Sequence, residues 1–120
     1  MKDVYRPSHA DYTYDAKYGI RNWKGGGRAS ARETIGRVAA GAIAKAILKT
    51  EFGVEILAWV DAVGTLKADI DASKVKVADV EANAVRCPDL DDAAAMEEMI
   101  KKARKEGDSL GGTIRCIAKG

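Results

Sequence analysis

Between Arg6 and Thr34 the chain reads RPSHADYTYDAKYGIRNWKGGGRASARET, and the residues best suited to chemistry are gathered there. Gly25, Gly26 and Gly27 lead through Arg28 and Ala29 into Ser30, where a helical pattern begins. Glycines let the backbone approach a ligand closely and take up positive φ. The helix start that follows offers unpaired amides and a positive dipole end, suited to a phosphate or carboxylate. Arg28 and Arg32 add forked donors for such an anion. The run is neither a Walker A loop, which needs Lys-Ser/Thr after its last glycine, nor a GxGxxG turn. The plain alternative is that the glycines only turn the chain and Ser30 only caps a helix.

His9 is the one histidine of the chain. Imidazole titrates near neutral pH, so His9 is the side chain ready to move a proton. Asp11, two residues on, could orient the ring. No metal site is expected from one His and two widely separated cysteines, Cys87 and Cys116, which read as reduced thiols. Ser30, His9 and Asp11 do not form a hydrolase triad, because no nucleophile elbow surrounds the serine.

These residues need elements to position them. The chain has 120 residues, 47% of them hydrophobic, but 21 are Ala and only 24 are Leu, Ile, Val or Phe. This is a globular composition with a thin supply of large core side chains. Its formal charge of +2 hides an asymmetry: residues 1–49 carry +6 and residues 50–120 carry −4. The basic part is interleaved with Tyr5, Tyr12, Tyr14, Tyr18 and Trp23, a mixture that suits a small anion or a nucleic acid. No apolar run reaches the roughly 18 residues of a membrane span, and residues 1–9 lack a signal-peptide core.

Residues 1–29 show no clear period and are expected to be an ordered, ligand-binding loop region. Residues 30–49 form the strongest helix pattern, opened by a Ser30/Glu33 capping box. Ile35, Val38, Ala39, Ala42, Ile43 and Ala46 make one stripe, and Gly36, Ala40 and Ala44 a second, small one. A helix so apolar all round is expected to be buried, and a chain this short can hardly bury it alone. Residues 53–64 read as a strand, residues 65–88 as a connection with a helical turn near 77–82, and residues 89–106 as a second helix. That helix is capped by Asp89 or Asp91 and stopped by Gly107; residues 111–119 close the chain as a strand. The order predicts an α+β fold, in one domain or half-domain.

Arg6-Pro7-Ser8-His9-Ala10-Asp11-Tyr12-Thr13-Tyr14, Lys17-Tyr18-Gly19, Gly25-Gly26-Gly27-Arg28 and Ser30-Ala31-Arg32-Glu33-Thr34 closely resemble chorismate synthase. So do Arg37-Val38-Ala39-Ala40-Gly41-Ala42, Cys87-Pro88-Asp89 and the stretch from Lys105 to Gly112, in the same order. The resemblance implies a lyase of the shikimate pathway that eliminates phosphate from 5-enolpyruvylshikimate 3-phosphate to give chorismate. It also implies a requirement for reduced FMN, a cytoplasmic homotetramer, and a β-α-β sandwich in which antiparallel sheets enclose long helices. It places His9 at one of the family's catalytic histidines, acting on the flavin, with Ala31 against the flavin. Ser30, Arg32 and Arg28 fall at substrate positions, and Asp11 has a supporting place. Asn22 departs from the Asp usual there, which would remove one ion pair. The chain matches a central part of the family's polypeptide, without the other catalytic histidine, and is expected to be inactive alone. The competing readings are a non-enzymatic anion-binding module and an RNA-binding loop; no nucleic-acid or membrane partner is expected.

Overall fold

Leu57, Trp59, Asp61 and Val63 turn inward at every second position along the central strand of the computed structural model, which describes residues 2–27 and 30–120. The chain divides into two compact units, Met1–Ala46 and Ile47–Gly120.

In the second unit β1 (Glu55–Val63) lies between β2 (Leu66–Lys67) and β3 (Gly112–Lys119) in an antiparallel sheet. The β1–β3 register runs from Glu55↔Lys119 to Val63↔Gly112 and slips by one residue between Val60 and Ala62. At that bulge the buried Asp61 meets Arg115, with Nε 3.2 Å from Oδ1, so a carboxylate in the sheet keeps a cationic partner. Two helices complete the unit, α3 (Val77–Glu81) and α4 (Leu90–Lys105). Val80 of α3 joins Leu57, Trp59 and Val75, while Ala93 and Met96 of α4 join Val63, Ala68 and Cys87. Cys87 and Cys116 are free thiols.

Local chemistry explains where α4 begins and ends. Asp89 Oδ1 accepts from the amides of Asp91 at 3.0 Å and Asp92 at 2.9 Å, which selects Asp89 over Asp91 as the cap. Beyond the helix Gly107 has φ +73°, and the amides of Gly107 and Asp108 bond back to Arg104 and Ala103. This is a Schellman turn, open to glycine because it has no Cβ to strain. Replacing Asp89 with alanine is expected to cost about 1 kcal/mol. A urea melt followed by the fluorescence of buried Trp59 measures it, and an unmoved midpoint would show that solvent replaces the cap.

In the first unit the sequence expectation needs correction. Residues 1–29 are not loop throughout: α1 (Asp11–Tyr18) forms inside them. Its side chains are mostly polar or aromatic and only Asp11 is buried, so there was no apolar period to detect. The capping box is also absent in its expected form. Ser30 Oγ accepts from Arg32 N at 3.3 Å and opens a single 3-10 turn, Ala31–Glu33, ahead of α2 (Thr34–Phe52). The burial expected of this long helix is not met within the chain. No residue of α2 is buried, and Ile35, Val38 and Ile43 are 65%, 71% and 65% exposed. The large apolar side chains that form clusters belong to the second unit, which leaves too few to cover α2.

Candidate functional site

Among the described residues of the first unit Asp11 is the buried one, and a buried carboxylate must be paired. Arg6 grips it with a fork, Nε to Oδ2 at 2.9 Å and Nη2 to Oδ1 at 2.8 Å, and the Arg6 amide adds a bond to Oδ2 at 3.0 Å. Arg21 Nη1 reaches Oδ2 at 3.0 Å. These bonds from Arg6 hold the Asp11 carboxyl well below the usual carboxylate range, against the opposing effect of desolvation. Two guanidinium groups facing one carboxylate leave the cluster with one net positive charge.

Each arginine also fastens a different piece of backbone. Arg21 Nη2 donates to the carbonyls of Lys2 at 2.6 Å and Val4 at 3.1 Å. Arg6 Nη2 reaches the carbonyls of Asn22 at 3.2 Å and Gly25 at 3.4 Å. Asn22 Oδ1 accepts from the Lys24 amide at 3.1 Å, closing an Asx turn that an aspartate would close equally well. Asn in place of Asp therefore keeps the turn.

Around this cluster lies a pocket of about 190 Å³ lined by Arg6, His9, Asp11, Arg21 and the glycine run. His9 Nδ1 lies 2.7 Å from the Pro7 carbonyl, which can only accept, so the ring proton sits on Nδ1 and Nε2 is left for a ligand. Asp11 does not orient the imidazole; its oxygens are taken by the two arginines. His9 stands between Ser8 and Ala10, whose φ values of +60° and +55° are costly for residues with a Cβ. Backbone strain on both sides of a histidine in a pocket is the kind that concentrates at functional sites.

The glycines divide the labour. Gly27 has φ +51°, and a Cβ on Gly26 would stand 3.1 Å from Ser30, so the bend closes directly over the serine. The Ser30 amide bonds Gly27 O at 3.1 Å. Among the described residues, however, Ser30, Ala31 and Arg32 do not line the His9 pocket. The site thus brings His9, Asp11 and the glycine bend together and leaves Ser30, Ala31 and Arg32 on the next turn of chain; Arg28 lies outside the described residues. Arg6 and Arg21 were not singled out from the sequence. Their partner lies five and ten residues away with no periodicity to link them, and only Arg6 carried a signal, as part of the recognised motif.

The aromatic residues that resembled a nucleic-acid surface are engaged within the chain. Tyr5 donates to Asp15 Oδ2 at 2.7 Å and packs edge-on against Tyr12, with Arg21 5.0 Å from its ring centre. Lys17 and Lys24 lie over Tyr18 and Trp23, at 5.2 and 5.3 Å. No His/Cys/Asp/Glu cluster suited to a metal occurs among the described residues.

Comparison with known proteins gives one consistent result. The sequence pattern of the family described as "Chorismate synthase" matches residues 1–120. A chorismate synthase of Synechococcus sp. strain JA-2-3B'a(2-13) is 64% identical over 119 residues, covering 99% of this chain and 32% of the relative. That of Akkermansia muciniphila is 59% identical over 121 residues, covering 100% of this chain and 34% of the relative. A solved structure titled "Crystal Structure of Chorismate Synthase" superposes with TM-score 0.69 at 28% identity, over 92% of this chain and 36% of that one. The chain spans about a third of the length of these relatives.

Proposed function

The chain belongs to the chorismate synthase family, and we propose that it carries one wall of the family's active site, where phosphate is eliminated from 5-enolpyruvylshikimate 3-phosphate to give chorismate. The observation that carries this reading is the pocket in which a histidine, a net-positive Arg–Asp–Arg cluster and a glycine bend share one wall. Its charge suits an anionic ligand, and His9 Nε2 is placed to give or accept a proton there. Ser30 and Arg32, on the turn of chain that follows the glycine bend rather than in this pocket, are assigned as donors to the phosphorylated substrate, as is Arg28, which lies outside the described residues.

The net positive charge of the cluster also suits reduced FMN, an anion. His9 and Ala31 are the residues of this chain that would hold it. Bound reduced flavin would supply electron density to an elimination that has no net redox change. With Nδ1–H donated to the Pro7 carbonyl, His9 Nε2 is the nitrogen that would carry a proton toward that negative charge. The proposal extends to a cytoplasmic homotetramer. The exposed apolar stripe of α2 supports the self-association.

The chain alone is expected to bind the substrate without turning it over. Calorimetry should show weak binding of 5-enolpyruvylshikimate 3-phosphate in preference to unphosphorylated shikimate, and Arg32→Ala should abolish it. Incubation with substrate and reduced FMN should give no chorismate. Chorismate formation would overturn the expected inactivity, and equal binding of both compounds would overturn the assignment of the site.

A further inference from the structure

Asp11 is the hub of the cluster, and Arg6 spans the distance from that carboxylate to the glycine bend. Its Nη2 bonds Asp11 Oδ1 at 2.8 Å and reaches the carbonyls of Asn22 at 3.2 Å and Gly25 at 3.4 Å. Arg21 holds the other end of the unit, at Lys2 and Val4. Asn22 and Gly25 bracket Trp23 and Lys24, so one guanidinium grips both sides of the turn that delivers the glycines. We propose that Arg6 is a positioning residue, whose planar fork anchors the glycine bend to Asp11 and so sets the shape of the hollow that His9 lines.

Electrostatics gives the anchor a second role. A bare carbonyl oxygen facing an anion repels it, whereas the Gly25 and Asn22 oxygens are engaged by a cation. Lysine could keep the charge and one bond to Asp11, but a single ammonium lacks the rigid fork that reaches two carbonyls as well. The remaining bonds to Asp11, from the Arg6 backbone amide and from Arg21, do not depend on the side chain at position 6. Arg6→Lys therefore separates positioning from the integrity of the unit.

The inference deepens the anion-site reading and rests on it for the ligand, while its structural part is testable without one. In the full chain, Arg6→Lys should shift the amide NMR signals of Gly25, Gly26 and Gly27 and leave those of Tyr12 to Lys17 in place. Its affinity for 5-enolpyruvylshikimate 3-phosphate should fall about tenfold, as expected for loss of charge-assisted hydrogen bonds that shape a site, while inorganic phosphate affinity changes less than about twofold. A purely structural or purely charge-based role would move both ligands together. Unmoved glycine amides overturn the proposal, and so does loss of the Tyr12 to Lys17 signals, which would make Arg6 a folding residue. If the unsubstituted chain fails to bind the substrate, the function reading falls and the glycine amides still decide the positioning claim.

Discussion

Replacing Met96 with alanine is expected to cost the Ile47–Gly120 unit about 2–5 kcal/mol, a large share of the stability a unit of this size holds. Met96 is fully buried, in contact with Val63, Ala68, Cys87 and Ala93. Truncation removes its transfer free energy and leaves a cavity that the small neighbours Ala68 and Ala93 cannot fill. Met96→Leu, nearly equal in volume, should cost less than about 1.5 kcal/mol. Trp59, 1% exposed, reports the unfolding by a red shift in its emission, with Trp23→Phe removing the other signal. A Met96→Ala midpoint matching that of Met96→Leu would show that the side chain is not enclosed.

The second large effect belongs to Asp11. Asp11→Ala is expected to dissolve α1, because two guanidinium groups would be left facing each other without a counter-charge. Hydrogen exchange reads this directly: the Tyr14 and Gly19 amides, bonded to Ala10 O and Asp15 O, should lose their protection, while α4 keeps its own. The unsubstituted chain should show the matching pH dependence. A carboxyl whose folded pKa is depressed contributes fully above its unfolded value of about 4 and loses that contribution as the pH falls through the depressed value. Protection in α1 should therefore survive at pH 4 and disappear only in stronger acid. Loss of α1 already at pH 5 would show that the Arg6 bonds do not stabilise the ionised form.

Where the sequence signal was local, it was readable. The Asp89 cap, one of the two the pattern offered, and the Gly107 stop depend on residues within one or two turns of each other, and both are found in the structure. The strand read over residues 53–64 likewise forms, as β1. Two features escaped for physical reasons. β2 is two residues long, too short for any period, and exists because the chain reverses after Val63 and pairs with it. α1 has no apolar face, and its one buried side chain is a carboxylate that hydropathy assigns to solvent.

Family membership, the α+β class and the candidacy of His9 and the glycine run were legible in the sequence, because motifs and short-range periodicity are properties of neighbours along the chain. What the tertiary structure decided is how those residues meet. Asp11 serves two arginines rather than the imidazole, a backbone carbonyl sets the tautomer of His9, and the glycine bend shares its hollow with His9 but not with Ser30, Ala31 and Arg32. These outcomes turn on which donor reaches a carboxylate or carbonyl first in three dimensions, and spacing along the chain does not encode that distance.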